Sequence, residues 1–173
     1  LLLAVPLFFS CKKRGSGVGN ESISSSLVEK HTYMGIVKRV CDGDTYDLLI
    51  DGTDRETQRV RMAAIDAPEK GQDYSRKARH YLDSLIGRKR VKLVLTQKDS
   101  FGRLLGLTYL EDGTEGSHEM VKAGYAWHYT HYDKDIEFDR LEEAARNAKV
   151  GLWADPHPVE PWIEKKLRKK GYS

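Results

Sequence analysis

Short stretches rich in β-branched and aromatic residues, with apolar and polar positions in rough alternation, divide the chain from residue 33 onward. This two-residue period is typical of β-strands. Asp-Gly pairs, which favour turns, follow the second and fifth stretches, and a proline ends the third. The pattern therefore predicts five strands: Tyr33–Val40, Thr45–Ile50, Glu56–Ile65, Arg90–Thr96 and Leu104–Leu110.

Helical periodicity replaces this alternation in three places. Apolar residues recur at helical spacing from Tyr74 to Ile86, with Asp73 as a predicted N-cap and Gly87 as the stop. A short helix is predicted at 117–123 and a longer one at 136–149. Three strands, a helix, two strands and further helices is the order expected of an OB-fold barrel. The predicted fold class is therefore α+β, mainly β: a five-stranded Greek-key barrel with three helices.

The N-terminal end carries a different pattern. Residues 1–9 are continuously apolar, which is shorter than the about 20 residues that span a bilayer but fits the apolar core of a secretory signal. The position of this run before Cys11 resembles a bacterial lipoprotein signal; a plain secretory signal and a buried strand are the alternatives. We predict a leader at 1–11 and a flexible tether at 12–31, rich in Gly, Ser and Lys. The protein would then be secreted or lipid-anchored at the bacterial cell envelope, contacting the membrane only through Cys11.

Composition limits the kinds of partner and of site that the protein can have. The formal net charge of +3, from 29 basic and 26 acidic residues, permits a polyanionic partner without requiring one. Two cysteines, one of them in the leader, exclude a disulfide framework or a cysteine-based zinc site. Residues 156–173 form a proline-containing basic extension, interpreted either as a solvated tail or as a nucleic-acid contact. One domain, at 32–155, remains as the folded unit.

Acidic and basic residues cluster at the predicted strand ends. The segments are Asp42-Gly-Asp-Thr45, Arg61 in the third strand, Asp66-Ala-Pro-Glu69 and Asp99-Ser-Phe-Gly-Arg103. Each segment alone is explained by a turn or a surface charge. Together they supply what phosphodiester hydrolysis requires, because carboxylates hold a hard metal ion and accept a proton, and paired arginines stabilise the negative charge that grows on phosphorus. Arginine suits this role better than lysine because its planar fork binds phosphate oxygens in pairs.

Four segments carry a resemblance to a known family: Val-Cys-Asp-Gly-Asp-Thr at 40–45, Arg-Met-Ala-Ala-Ile-Asp-Ala-Pro-Glu at 61–69, Asp-Ser-Phe-Gly-Arg at 99–103 and Gly-Leu-Trp at 151–153. In this order and spacing, over residues 32–155, the chain resembles the staphylococcal nuclease family, also called thermonuclease or micrococcal nuclease. The resemblance implies a five-stranded OB barrel with three helices. It also implies a calcium-dependent nuclease that cuts DNA and RNA and leaves 3′-phosphate ends.

The resemblance also implies roles for individual residues. Asp44 and Asp66, with the backbone carbonyl of Ala67, would hold one Ca²⁺ per domain. Glu69 would be the general base, with Arg61 and Arg103 as the phosphate clamps. The best-known member has Thr where this chain has Ala67, a change that a backbone ligand tolerates.

Aromatic residues are the candidate contacts for the substrate. Phe101 replaces a Tyr of the family and Ser100 a Lys, so stacking is retained while a hydroxyl and a charge are lost. Tyr129 and Tyr132 lie where the family builds a wall of its pocket. His128 invites a metal or acid/base role, but the sequence shows no partner for it.

Two other functions are compatible with the sequence. OB barrels often bind single strands without chemistry, so the main alternative is a non-catalytic module for single-stranded nucleic acid. A third possibility is a structural surface lipoprotein whose basic tail touches polyanions. The intact acidic and arginine residues favour the nuclease, which we expect to be a monomer acting on DNA and RNA with a preference for single-stranded or unpaired regions.

Overall fold

The computed structural model describes residues 31–53 and 56–171. The predicted leader, with Cys11, lies outside the described residues, as does all of the predicted tether except its last position. No helix in the described part of the chain is long and apolar enough to cross a membrane.

The strands and helices of the described residues follow the order that the sequence pattern predicted. The structure adds a two-residue strand at Trp127–His128, a 3₁₀ helix at Gly151–Ala154 and a helix at Pro161–Lys169. The elements are β1 (Thr32–Val40), β2 (Thr45–Ile50), β3 (Thr57–Met62), β4 (Ile65–Asp66), α1 (Ser75–Ile86), β5 (Arg90–Lys98), β6 (Leu104–Tyr109), α2 (Gly116–Lys122), β7 (Trp127–His128), α3 (Ile136–Asn147), a 3₁₀ helix (Gly151–Ala154) and α4 (Pro161–Lys169).

Five strands close into a barrel in the order β1-β2-β3-β6-β5. All neighbouring pairs are antiparallel except β3 and β6, which run parallel. Alternate residues point inward, as along β6, where every second position is buried. Tyr46 and Thr108 share a hydrogen bond of 2.8 Å inside the core, which gives both buried hydroxyls a partner. Burial raises the pKa of Tyr46. The predicted α+β fold with a five-stranded barrel is confirmed.

The predicted third strand, Glu56–Ile65, consists of two strands in the structure. β3 ends at Met62, and Ala64 adopts a left-handed conformation with φ of 65°, which bends the chain out of the barrel. The next two residues form β4, which pairs with β7 in a separate two-stranded sheet. This bend carries Asp66 away from the barrel wall.

The predicted N-cap of the first helix, Asp73, is wrong by one residue. Tyr74 is the N-cap, with φ of 64° and no side-chain capping bond, because the left-handed turn at this residue redirects the chain into α1. The helix then buries Ala78, Leu82 and Ile86 completely against the barrel, at the spacing that the sequence showed. Gly87 ends it as predicted.

The C-terminal part of the fold depends on a close approach between two glycines. Gly124 follows α2 and Gly151 begins the 3₁₀ helix; their φ values are 70° and 59°. Leu152 donates its amide hydrogen to the Gly124 carbonyl at 2.8 Å, which seats Trp153 against Trp127 with ring centroids 5.3 Å apart. A Cβ on Gly151 would lie 2.1 Å from the Gly124 carbonyl oxygen.

We therefore expect Gly151→Ala to lower the free energy of unfolding by about 3 kcal/mol or more, because backbone overlap adds to left-handed strain. Gly113→Ala is the matched control: φ is 87° there, but a Cβ would have nothing within 4 Å. The control should cost about 1 kcal/mol, the strain alone. Urea unfolding measures both, and equal losses would contradict the close approach.

Candidate active site

The predicted site residues converge on one cleft of about 450 Å³ beside the barrel. The strand ends, the loop after β4 and the segment after β7 form its walls. Seven of the nine predicted residues line it: Asp44, Arg61, Glu69, Phe101, Arg103, Tyr129 and Tyr132. The other two, Asp66 and Ala67, are almost fully buried beside it, each 2% exposed.

One guanidinium joins two buried carboxylates at the base of the cleft. Arg61, on β3, contacts Asp44 through Nη1 and Asp66 through Nη2, the latter at 2.6 Å. Asp44 is 6% exposed and Asp66 2%. The Arg61 side chain is itself only 14% exposed, so all three charges lie largely out of water. The ion pairs offset the cost of burying the two acids, because an unpaired buried charge is strongly unfavourable.

Local hydrogen bonds fix Asp44 in this position. The Ala67 amide donates to Asp44 Oδ2 at 2.8 Å, and the Thr45 hydroxyl donates to Oδ1 at 2.9 Å. The Met62 amide donates to the Asp44 backbone carbonyl at 2.8 Å. The turn before β2, the end of β3 and the loop after β4 are thus joined through one residue.

Gly43 allows this turn to pack tightly. A Cβ at position 43 would come within 2.6 Å of the Cβ of Ala67 and 2.8 Å of that of Ala78 on α1. The carboxylates of Asp42 and Asp44 therefore flank a residue that has no room for a side chain. Burial raises the pKa of Asp42, although Thr45 and the charge of Arg61 oppose that shift.

Arg103 reaches the cleft from the start of β6 and is oriented by Asp99. Its Nε donates to Asp99 Oδ2 at 2.6 Å, and its amide donates to Oδ1 at 2.9 Å. Desolvation would raise the pKa of Asp99, but the hydrogen bonds from Arg103 outweigh it and the pKa is lowered. Phe101 is 83% exposed, with the Arg103 guanidinium 5.7 Å from its ring centre.

The donor set at the base of the cleft fits a hard divalent cation. Asp44 and Asp66 both contact the guanidinium of Arg61, Asp44 at Nη1 and Asp66 at Nη2. Carboxylate and backbone oxygens are the ligands that calcium prefers. Within residues 31–53 and 56–171, no group of three His, Cys, Asp or Glu side chains is arranged to hold a metal ion. A cation bound there would therefore take its other ligands from the backbone, as predicted for Ala67, or from water.

Glu69 lies on the loop between β4 and α1 and contacts a residue that sequence reasoning missed. Lys165, on α4, places its Nζ 2.9 Å from Glu69 Oε1 and 3.1 Å from Asp66 Oδ1. The sequence showed a run of basic residues in the C-terminal extension. It gave no signal to distinguish Lys165 from its neighbours, because only the docking of α4 brings this lysine into the cleft.

The aromatic wall is built from two segments far apart in sequence. Tyr129 and Tyr132 follow β7, with ring centroids 5.2 Å apart. Trp162 of α4 stacks on Tyr129 at 5.2 Å, with the ring planes 27° apart, so one face of Tyr129 is covered. Tyr132 is 75% exposed. Phe101 and Tyr132 are thus the more open of the predicted stacking residues.

His128 is paired, contrary to the sequence interpretation. Its Nδ1 lies 2.7 Å from Asp139 Oδ1 and its Nε2 3.2 Å from Asp133 Oδ1. The ring is fully buried and stacks on Phe138 at 5.1 Å. These contacts connect β7 to α3, so His128 has a structural role and does not line the cleft.

Comparison of the sequence with known proteins relates this chain to nucleases. A family model described as "Staphylococcal nuclease homologue" matches residues 59–155. The chain is 43% identical to a protein named "Uncharacterized endonuclease" from Escherichia coli O157:H7, over 75% of this chain and 82% of that protein. It is 39% identical to a protein named "Micrococcal nuclease" from Shigella flexneri, over 75% of this chain and 79% of that protein. An "Uncharacterized endonuclease" of Haemophilus influenzae is 37% identical, over 80% of this chain and 75% of that protein.

The buried ion pairs lead to a prediction about stability. Arg61→Met should lower the free energy of unfolding by about 3–5 kcal/mol in calcium-free buffer, because, among the described residues, it leaves the buried Asp44 without a cation and leaves Asp66 with Lys165 alone. Arg59→Met, two residues earlier on β3, is the control. It removes an arginine that is 46% exposed, and the partner of that arginine, Asp47, would still be paired with Arg39. That control should cost less than about 1 kcal/mol. Denaturant unfolding measures both, and a small loss for Arg61→Met would mean that the carboxylates are not buried as a pair.

Proposed function

The chain belongs to the staphylococcal nuclease family and is a nuclease, and on that premise we propose that it hydrolyses phosphodiester bonds of DNA and RNA with the help of calcium. One observation carries the proposal. Arg61, Arg103 and Glu69 line a single cleft above the buried carboxylates of Asp44 and Asp66. A cleft with two guanidinium groups, an accessible carboxylate and buried oxygen ligands matches the requirements of phosphodiester hydrolysis.

In this mechanism the two arginines bind the phosphate. Both guanidinium groups reach the cleft, and each is oriented by carboxylates: Arg61 by Asp44 and Asp66, Arg103 by Asp99. A guanidinium offers paired donors to phosphate oxygens and stays charged at every physiological pH. The two residues would therefore stabilise the phosphorane-like transition state, where negative charge on the oxygens is greatest.

Glu69 is the proposed general base. Its side chain is 33% exposed at the cleft wall, so water reaches the carboxylate. A carboxylate in this position accepts the proton of the attacking water as the new bond to phosphorus forms. Asp44, Asp66 and the Ala67 carbonyl would hold the calcium ion. Bound there, calcium would supply a charge that polarises a phosphoryl oxygen.

The chemistry of the cleft supports a preference among nucleic-acid substrates. Phe101 and Tyr132 expose aromatic faces, and unpaired bases stack on such faces without sequence preference. Tyr129, on which Trp162 stacks, also lines the cleft. These contacts support single-stranded or unpaired regions as the preferred substrates. The family resemblance supports products with 3′-phosphate ends.

Location and assembly rest on the sequence alone. A leader at 1–11 and a tether at 12–31 would make the protein secreted or, if Cys11 is acylated, lipid-anchored at the cell envelope. A single domain that carries every proposed site residue supports a monomer acting on extracellular DNA and RNA.

Glu69→Gln removes the proposed base while keeping the shape of the side chain. We expect kcat on single-stranded DNA to fall by about 100-fold or more. Glu111→Gln, at an exposed turn, makes the same chemical change away from the cleft and should leave kcat unchanged. If Glu69→Gln turned over like the wild type, the assigned base would be wrong. Tight binding without cleavage by the wild-type protein would instead favour the non-catalytic binding module.

Metal dependence and product ends form a second test. A calcium chelator should abolish degradation of DNA and RNA, and added calcium should restore it, because two buried carboxylates form the proposed ion site. The 3′ ends of the products should accept ligation of a 5′-phosphorylated adaptor only after a 3′-phosphatase has removed their terminal phosphates. Cleavage that persists in chelator, or products that already carry a free 3′-hydroxyl, would contradict the proposed chemistry.

A further inference from the structure

The C-terminal helix α4 is docked against the loop that carries Glu69. Pro161, at the first turn of the helix, is buried, and Trp162 stacks on Tyr129 at 5.2 Å. Near the other end of the helix, Arg168 donates through Nη1 to the Lys70 carbonyl at 2.7 Å. The helix is therefore attached at both ends to the walls of the cleft.

The same segment holds the backbone of the loop. Gln72 accepts the Glu69 amide hydrogen through Oε1 at 2.9 Å and donates through Nε2 to the Val159 carbonyl. The Gln72 amide donates in turn to the Glu69 carbonyl at 2.8 Å. One glutamine thus links the residue that carries the carboxylate to the segment just before α4.

Lys165 completes the connection by contacting the Glu69 side chain. Its ammonium lies 2.9 Å from Glu69 Oε1, 3.1 Å from Asp66 Oδ1 and 3.4 Å from Asp66 Oδ2. The two carboxylates repel one another, and a shared cation between them removes that repulsion. A compact ammonium with three donors suits such a bridge.

This contact restrains a side chain that would otherwise move. Glu69 lies on a loop, and a glutamate side chain has several rotatable bonds whose freedom opposes a single orientation. Lys165 contacts this carboxylate at Oε1. Because an error of about 1 Å in the placement of a reacting group lowers rates by about 100-fold, such a restraint affects turnover.

We propose that Lys165 is a positioning residue of this active site, which orients the Glu69 carboxylate relative to Asp66 and makes α4 part of the catalytic cleft. The proposal rests on the proposed function, since it assigns to Lys165 an effect on the general base. It gives the basic C-terminal extension a role inside the site, in place of a solvated tail.

The kinetic test compares four variants of the full chain. Lys165→Met should lower kcat by about 10- to 100-fold with KM changed less than about twofold, and Lys165→Arg should recover part of the loss. Lys166→Met, the adjacent exposed lysine, removes the same charge and should keep wild-type kcat. In a Glu69→Gln background, Lys165→Met should change kcat by less than about twofold, because a residue that acts through Glu69 has no effect once the base is absent.

Three kinetic results would overturn the proposal. A raised KM with unchanged kcat would make Lys165 a substrate contact. A raised kcat in Lys165→Met would show that Lys165 inhibits turnover. A loss of the same size in the Glu69→Gln background would show that Lys165 acts independently of the base.

A second readout does not depend on activity. In two-dimensional amide spectra, Lys165→Met should shift the resonances of the loop from Glu69 to Gln72, and Lys166→Met should leave them in place. Unshifted loop resonances would overturn the proposal because α4 would not contact the loop. Shifted resonances in a protein without nuclease activity would instead contradict the proposed function. A failure of the Lys165 proposal and a failure of the proposed function therefore give different results.

Discussion

The site depends on the burial of two carboxylates around one guanidinium. Asp44 and Asp66 are almost completely removed from water, which is unfavourable unless opposite charge and hydrogen bonds compensate. Arg61 contacts both acids, and the Ala67 amide and Thr45 hydroxyl satisfy Asp44 further. The interaction joins the turn before β2, the strand β3 and the short strand β4, so the same contacts that complete the fold define the base of the cleft.

The barrel topology brings the remaining groups to this point. β3 and β6 run parallel, with Val60 paired to Leu104, so Arg103, immediately before Leu104, lies at the end of the strand beside the one that carries Arg61. The left-handed bend at Ala64 separates β4 from the barrel and delivers Asp66 and then Glu69 to the same side. The arginines thus come from the ends of neighbouring strands, while the acids come from the turn before β2, the short strand β4 and the loop after it.

Most of the architecture could be predicted from the sequence because strands and helices leave periodic patterns in neighbouring residues. Alternation of apolar residues gave the five barrel strands, and helical spacing gave α1 to α3. The charged motifs could be identified because each lies within a few residues of a strand end. Other features arise from tertiary contacts that no short pattern encodes: the positive φ of Ala64, the pairing of His128 with Asp139, and the selection of Lys165 from several neighbouring basic residues. Docking of α4, through Trp162 and Arg168, decides which lysine reaches the cleft.

We propose that the cleft above Asp44 and Asp66 is a calcium-assisted phosphodiesterase site. A crystal structure with calcium and a nucleoside bisphosphate tests that claim most directly. We expect one cation in contact with the carboxylates of Asp44 and Asp66, and a phosphate bound by the guanidinium groups of Arg61 and Arg103. A cation held elsewhere, or a phosphate that binds without either arginine, would contradict it.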